Sequence, residues 1–280
     1  MKEISCKTII VEVSRLCIDS NIYIADDIEK ALFVSREMEE SGQGKSVLDD
    51  LLENIKVARE KKIPACQDTG MAVVFVEIGQ DVRITDGNLS DAIIEGVRKG
   101  YSEGYLRASV VADPVLRGNT DDNTPPVIHY EIVSGDKLSI TLAPKGFGSE
   151  NMSAVKMLNP SDGVEKIREF VVDTVSKAGP NPCPPVIVGI GIGGTMEKAA
   201  LLAKKSLLRP VGEHNDKKHI CELEIEILEE INDLGIGPGG LGGRTTALAV
   251  NIETFPTHIA GLPVAVNMGC HATRHATKIL

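Results

Sequence analysis

The run Gly189-Ile190-Gly191-Ile192-Gly193-Gly194 closes an apolar stretch that begins at Val186 and opens a helical pattern from Met196 to Leu208. Short apolar runs bounded by proline and glycine read as buried strands, and glycines at the end of one let a helix pack back closely on it. The order Gly-x-Gly-x-x-Gly also fits a dinucleotide-binding turn, with Glu213 as the following acid. That reading needs a second parallel strand after the helix. Instead come Pro210-Val211-Gly212, polar residues and another helix-like stretch. A close strand-to-helix turn therefore ranks above the dinucleotide site.

Around this run the apolar periodicity predicts the other elements. Three helices are expected at the start, marked by Ile9, Val13, Leu16 and Cys17, by Ile28, Ala31, Leu32 and Met38, and by Leu48, Leu51, Leu52, Ile55 and Ala58, with Ser41-Gly42-Gln43-Gly44 separating the last two. A strand follows at Met71 to Ile78, then a helix that Ser90 could cap, carrying Ile93, Ile94, Val97 and Tyr101 and weakened by Gly96, Gly100 and Gly104. Val127 to Val133 and Leu138 to Leu142, around Ser134-Gly135-Asp136-Lys137, give a hairpin signal. Asp162 to Lys177 reads as an amphipathic helix. Cys221 to Ile227 alternates apolar and acidic residues, but its glutamates and the continuation through Ile231 and Leu234 favour helix. Thr245 to Ile252 and Pro263 to Met268 read as core strands. The fold expected is α+β, a mixed sheet with flanking helices and a helical N-terminal region. The 280 residues suit one large domain or two closely joined lobes; a single domain over 1–280 is expected, with a helical N-terminal lobe at about 1–62.

A net charge of −10 argues against nucleic acid or an anionic membrane as the main partner, and no run approaches the roughly 18 apolar residues of a membrane span. The amphipathic N-terminus, broken by Glu12 and Arg15, does not read as a secretory signal, so a cytoplasmic setting is expected. From Arg244 onward the balance reverses: Arg244, Arg274 and Lys278 face the single acid Glu253, and His258, His271 and His275 lie there as well. Such a patch could hold a small anion, or pair with another subunit's acids.

Six cysteines divide by context. Cys6, Cys17 and Cys221 lie in helical patterns and read as packing thiols. Cys66, Cys183 and Cys270 sit instead among prolines and glycines, and no Cys-x-x-Cys pair suggests a zinc knuckle. Cys66 belongs to Ile63-Pro64-Ala65-Cys66-Gln67-Asp68-Thr69-Gly70, where Pro64 stops a helix and a strand starts just after Gly70, so a thiol, an amide and a carboxylate share one connection. Three cysteines from three irregular segments suit a metal cluster better than a nucleophile, which needs one thiol and a base. A catalytic Cys-His pair, or coincidence, fits composition nearly as well. Two glycine-rich loops add anion-binding candidates: Lys145-Gly146-Phe147-Gly148-Ser149-Glu150-Asn151, and Gly235 to Gly243 with Arg244 beside it.

Pro64-Ala65-Cys66-Gln67-Asp68-Thr69-Gly70, Cys183-Pro184-Pro185-Val186-Ile187-Val188-Gly189-Ile190-Gly191, Leu234-Gly235-Ile236-Gly237-Pro238 and the Cys270-His271-Ala272 ending resemble the alpha subunit of two-subunit class I fumarate hydratases. The related L-tartrate dehydratase alpha subunit shares much of this pattern, and the resemblance covers essentially the whole chain. It implies that Cys66, Cys183 and Cys270 hold a 4Fe-4S iron-sulfur cluster whose unique iron binds a dicarboxylate. It implies substrate contact for Gln67 and Asp68, with Asp68 in the acid-base machinery, and a carboxylate grip by Arg107. Lys145, Gly146 and Gly148 match a loop that approaches substrate, and His258 matches an active-site histidine that orients substrate or moves a proton. The expected activity is reversible hydration of fumarate to L-malate by a hetero-oligomer with a separate beta subunit. Tartrate dehydration and a non-catalytic iron-sulfur or redox-sensing subunit are the alternatives. Gly118 to Pro126 is least like the single-chain relatives, which also carry a C-terminal domain supplying further catalytic groups.

Overall fold

The structure, a computed structural model, describes residues 1–280. By internal contacts the chain falls into two compact units: Met1–Ile24 with Val57–Phe147 and Arg274–Leu280, and Ala25–Lys56 with Gly148–Thr273. The three N-terminal helices form no lobe of their own. Helix α1 (Cys6–Ile22) belongs to the first unit, α2 (Asp26–Met38) to the second, and α3 (Gly42–Lys61) carries the chain from one to the other.

In the first unit a four-stranded sheet is organised around β2 (Met71–Gly79), beside a small parallel pair, β1 (Lys2–Ser5) with β3 (Val82–Thr85). β4 (Val127–Val133) lies parallel to β2 on one side, β5 (Leu138–Lys145) antiparallel on the other, and the terminal β10 (Ala276–Ile279) pairs with β5. The expected hairpin is thus split. Both predicted strands exist, but β2 lies between them, because a run as apolar as Ala72 to Val76 needs ladder partners on both edges when it is buried. Helix α4 (Leu89–Glu103) is capped by Asn88, which accepts from the Ser90 and Asp91 N–H groups, rather than by Ser90. Its glycines have a packing reason. A Cβ at Gly96 would come 2.7 Å from Val13 Cβ, and one at Gly100 equally close to Cys17 Cβ, so α1 and α4 touch almost backbone to backbone. Ile9, Val13, Ile93 and Val97 from these helices close over Val74, Ile140 and Leu142, each burial contributing about 1.5–3 kcal/mol.

The second unit is layered on a sheet ordered β6 (Ala154–Leu158), β9 (Leu262–Gly269), β7 (Val186–Gly193), β8 (Ala247–Phe255). Alternate residues of β7 point to opposite faces. Val186, Val188 and Ile190 meet α6 (Gly163–Ala178) and α8 (Lys218–Asp233) through Val171, Ile227 and Ile231. On the other face Gly189 and Gly191 meet α7 (Met196–Ser206): a Cβ on either would come 2.2 and 2.0 Å from the Ala203 and Ala199 carbonyl oxygens. The glycine run is therefore a strand-to-helix packing device. β8, parallel to β7, arrives only after α8. A single-turn helix α5 (Phe147–Glu150) precedes β6. No helix is long and apolar enough to cross a membrane.

Candidate functional site

In the first unit the Cys66 connection is fixed by hydrogen bonds with Asn21, Tyr101, Arg107, Asn123 and Arg274. The Ala65 N–H donates to the Asn21 carbonyl at the end of α1. Asn21 is fully buried, and its Oδ1 accepts from Arg274 Nε, whose Nη2 reaches the Asp68 carbonyl at 2.7 Å. Tyr101 OH points at the Thr69 and Gly70 carbonyls, and Asn123 Nδ2 donates to Gly70 as well. Thr69 Oγ1 accepts the Arg107 N–H at 2.9 Å, which places Arg107 beside the connection, its guanidinium exposed. Gly70 has φ +74°, and a Cβ there would lie 2.8 Å from the Lys145 backbone. Only glycine satisfies both conditions.

Asp68 is half-buried and its carboxylate is aimed. Oδ1 accepts the Gly70 N–H and Oδ2 the Phe147 N–H, both at 3.0 Å. A Cβ on Gly146 would lie 3.2 Å from Oδ2, so the absence of a side chain there keeps the carboxylate open. Cys66, Gln67, Asp68, Arg107, Lys145 and Gly146 are thus gathered in one loop cluster of one unit. Cys66 is partly buried, Gln67 exposed and Lys145 buried.

Cys183 and Cys270 meet at one end of the second unit's sheet, where Ile187 of β7 pairs with Gly269 of β9. Cys183 has φ +58°, with its N–H bonded to the Pro180 carbonyl and cis Pro184-Pro185 following. Its carbonyl accepts the His271 N–H at 3.3 Å and faces His271 Nδ1 at 3.1 Å. Because a carbonyl only accepts, Nδ1 carries the proton. The residue after Cys270 thereby grips the backbone of Cys183. A Cβ on Gly148 would stand 3.4 Å from the Asn181 carbonyl, which places that glycine next to the Cys183 segment.

His258 is elsewhere. It follows β8, whose Phe255 pairs with Gly193 at the far end of β7. At about 3.3 Å per residue, that end lies roughly 25 Å along the strands from Cys183 and Cys270. Within this unit, His258 does not share their surroundings; its Nδ1 accepts the Ala260 N–H. Register decides this, and no local pattern reveals it.

The C-terminal positive patch is also dispersed. Arg274 is buried against Asp68 and Asn21, and Lys278 pairs with Glu12 at 3.4 Å. The cradle expected at Gly235 to Arg244 does hold an anion, and the anion is the chain's own Glu39. Sequence reading missed this residue, whose neighbours Glu37 and Glu40 make it look like part of a solvated acidic run. Glu39 is 1% exposed and accepts from the N–H groups of Glu40, Ser41, Arg244 and Thr245 at 2.9–3.1 Å. Burial alone would raise its pKa, but the Arg244, Thr245 and Ser41 N–H groups overcome that and hold it at about 2. A depressed carboxyl contributes stability that is complete above its ordinary value near 4.5 and is lost as pH falls toward 2. The stability deficit of Glu39→Gln is therefore expected to be largest above about pH 4.5 and to shrink on acidification. Denaturant midpoints across that window check this, and a pH-independent deficit would contradict it.

None of the six cysteines is paired in a disulfide. No three His, Cys, Asp or Glu side chains are arranged to share one metal ion. A cluster makes a different demand, since each thiolate binds its own iron and the sulfurs need not converge on a point. Three thiols outside any disulfide and on irregular backbone, two of them on segments tied together through His271, have the donor chemistry for such a group. A separate cavity of about 720 Å³ lies between α2, α8 and the start of β8, and none of the expected site residues lines it.

The family described as Fumarate hydratase (Fumerase) matches residues 10–279. A protein of Methanocaldococcus jannaschii named putative L(+)-tartrate dehydratase subunit alpha is 45% identical over 276 residues, covering 96% of this chain and 95% of that one. The L(+)-tartrate dehydratase subunit alpha of Escherichia coli O157:H7 is 34% identical, covering 91% and 85%. The corresponding subunit from Escherichia coli K12 is 33% identical with the same coverage.

Proposed function

Because the chain belongs to the fumarate hydratase (Fumerase) family, we propose that it is the alpha subunit of an iron-sulfur hydro-lyase that adds water to fumarate to give L-malate. The observation that carries this reading is the aimed Asp68 carboxylate, held by the Gly70 and Phe147 N–H groups, on a connection that the Arg107 N–H and the Arg274 guanidinium also bond. Cys66, Cys183 and Cys270 would hold the cluster, which would supply Lewis acidity.

The remaining roles belong to the chain's own side chains. Asp68 moves the proton: with one N–H on each oxygen its orientation is set before substrate arrives, and the outer lone pairs stay available. Arg107 has no ion-pair partner within the chain and presents a planar fork to a substrate carboxylate, while Thr69 fixes its backbone. Lys145 adds positive charge, Gln67 a polar contact, and Gly146 and Gly148 permit close approach. His258 is given no step at this chain's own Asp68 or cysteines, because its sheet end lies so far from Cys183 and Cys270.

The names of the relatives favour a second substrate, L(+)-tartrate, whose dehydration needs the same grips and one further hydroxyl contact. Anaerobic assay of the chain with its co-purified partner, before and after removal of iron, separates the readings. Fumarate hydration that disappears with the iron is expected. Turnover of tartrate alone would select the second substrate, and cluster-loaded protein that turns over neither would sink the enzyme reading in favour of a redox or structural subunit.

A further inference from the structure

We infer that Glu39 is a positioning residue for Cys183, acting through the glycine-rich loop Gly235–Gly243. The contacts form an unbroken path within one unit. Glu39 takes the N–H groups of Arg244 and Thr245 at the loop's C-terminal end. The loop is folded on itself: the Gly242 N–H donates to the Ile236 carbonyl, and the Gly237 N–H donates to Thr246 Oγ1. Its apex then touches the cysteine segment. The Gly239 N–H donates to the Pro184 carbonyl at 2.8 Å, one residue from Cys183, and a Cβ on Gly240 would stand 2.3 Å from Pro180 Cβ. Pro180 in turn accepts the Cys183 N–H at 3.0 Å.

The fit around the carboxylate is close on every side. A Cβ on Gly243, at φ +131°, would come 2.8 Å from Glu39 Oε1, and one on Gly44 would come 2.9 Å from Glu39 Cγ. Four N–H groups directed at one buried carboxylate cannot be satisfied by a neutral amide, which replaces one acceptor oxygen with a donor. Buried donors left unpaired reopen toward water. The cysteine needs such support, since a non-glycine residue at φ +58° holds that conformation only where its surroundings impose it. Glu39 touches neither thiol nor substrate, so it acts on Cys183 solely through the loop.

The functional consequence rests on the reading of Cys183 as a cluster ligand, whereas the mechanical coupling does not. The test uses the full-length cluster-free chain and the reconstituted one. In Glu39→Gln, amides of residues 236–245 and of 180–184 are expected to exchange about tenfold faster, with β8 unchanged as the folded reference. Alkylation of Cys183 should shift by a similar factor while that of Cys66 does not, and the reconstituted protein should show an altered cluster spectrum. Gly240→Ala, which leaves Glu39 intact and presses on Pro180, should reproduce the Cys183-selective change, and it serves if the first variant does not fold. Loosening confined to 236–245, with Cys183 reactivity unchanged in both variants, would overturn the inference. If Cys183→Ser retains its iron, the ligand reading fails while the coupling remains measurable in the cluster-free chain.

Discussion

Cys183→Ser protein, purified without oxygen, is expected to contain little of the iron and sulfide held by the unmodified chain, and Cys66→Ser to behave alike. A serine hydroxyl keeps the size of the side chain but is a far poorer ligand for iron at neutral pH than a thiolate, so the loss reflects ligation rather than packing. Turnover should fall by about 10³-fold or more, because Lewis acidity and substrate placement vanish together. The helical cysteines give the contrast. Cys17 is fully buried where α1 meets Gly100 of α4, and burial pushes its thiol pKa up, away from the reactive thiolate. Cys17→Ala should cost about 1–3 kcal/mol of stability and leave iron content unchanged. Normal iron in either serine variant would remove that cysteine from the ligand set.

The second large effect concerns the chain by itself. Cluster-loaded but separated from any partner subunit, it is expected to hydrate fumarate at least about 10³-fold more slowly than the assembled enzyme. The loop cluster of the first unit brings one exposed guanidinium and one aimed carboxylate, whereas a four-carbon dicarboxylate must be held at both ends while a proton is transferred between them. Its relatives are named subunits, which fits a second protein supplying the rest. Co-expression with that partner should restore the rate. Full activity from the isolated chain with an intact cluster would refute the division of labour.

Long elements with a clear period were legible in the sequence. α1, α2, α6 and α8, and the apolar cores of β2, β7 and β9, lie where the spacing of Ile9-Val13, Ile28-Leu32, Ile167-Val171 and their counterparts placed them. Even the acid-rich stretch from Cys221 is helix, as propensity indicated against a two-residue period. The short strands were not legible. β1, β3 and β10 span four residues each and β6 five, too few for alternation to register. Pairing was harder still: Val127 to Val133 and Leu138 to Leu142 are adjacent in sequence and complementary in pattern, yet β2 takes the place between them. At the candidate site, the sequence singled out the side chains that now cluster around Asp68 but not the residues that hold them. Asn21, Thr69, Tyr101, Asn123 and Arg274 are distant in the chain and carry no local motif. His258 is the converse case, a conspicuous residue whose place depends on which end of a strand the register gives it.

Arg274 and β10 belong to the last seven residues, yet they complete a unit whose other parts end at Phe147. During synthesis, β2 and β5 can pair as soon as residue 145 has emerged, but the Asp68 carbonyl and Asn21 wait for the Arg274 side chain, which follows Cys270 in the chain. The Cys66 connection therefore reaches its final shape after Cys183 and Cys270 have both been made. On the proposed reading of Cys66, Cys183 and Cys270 as cluster ligands, that order leaves no finished loop to offer iron until all three thiols exist.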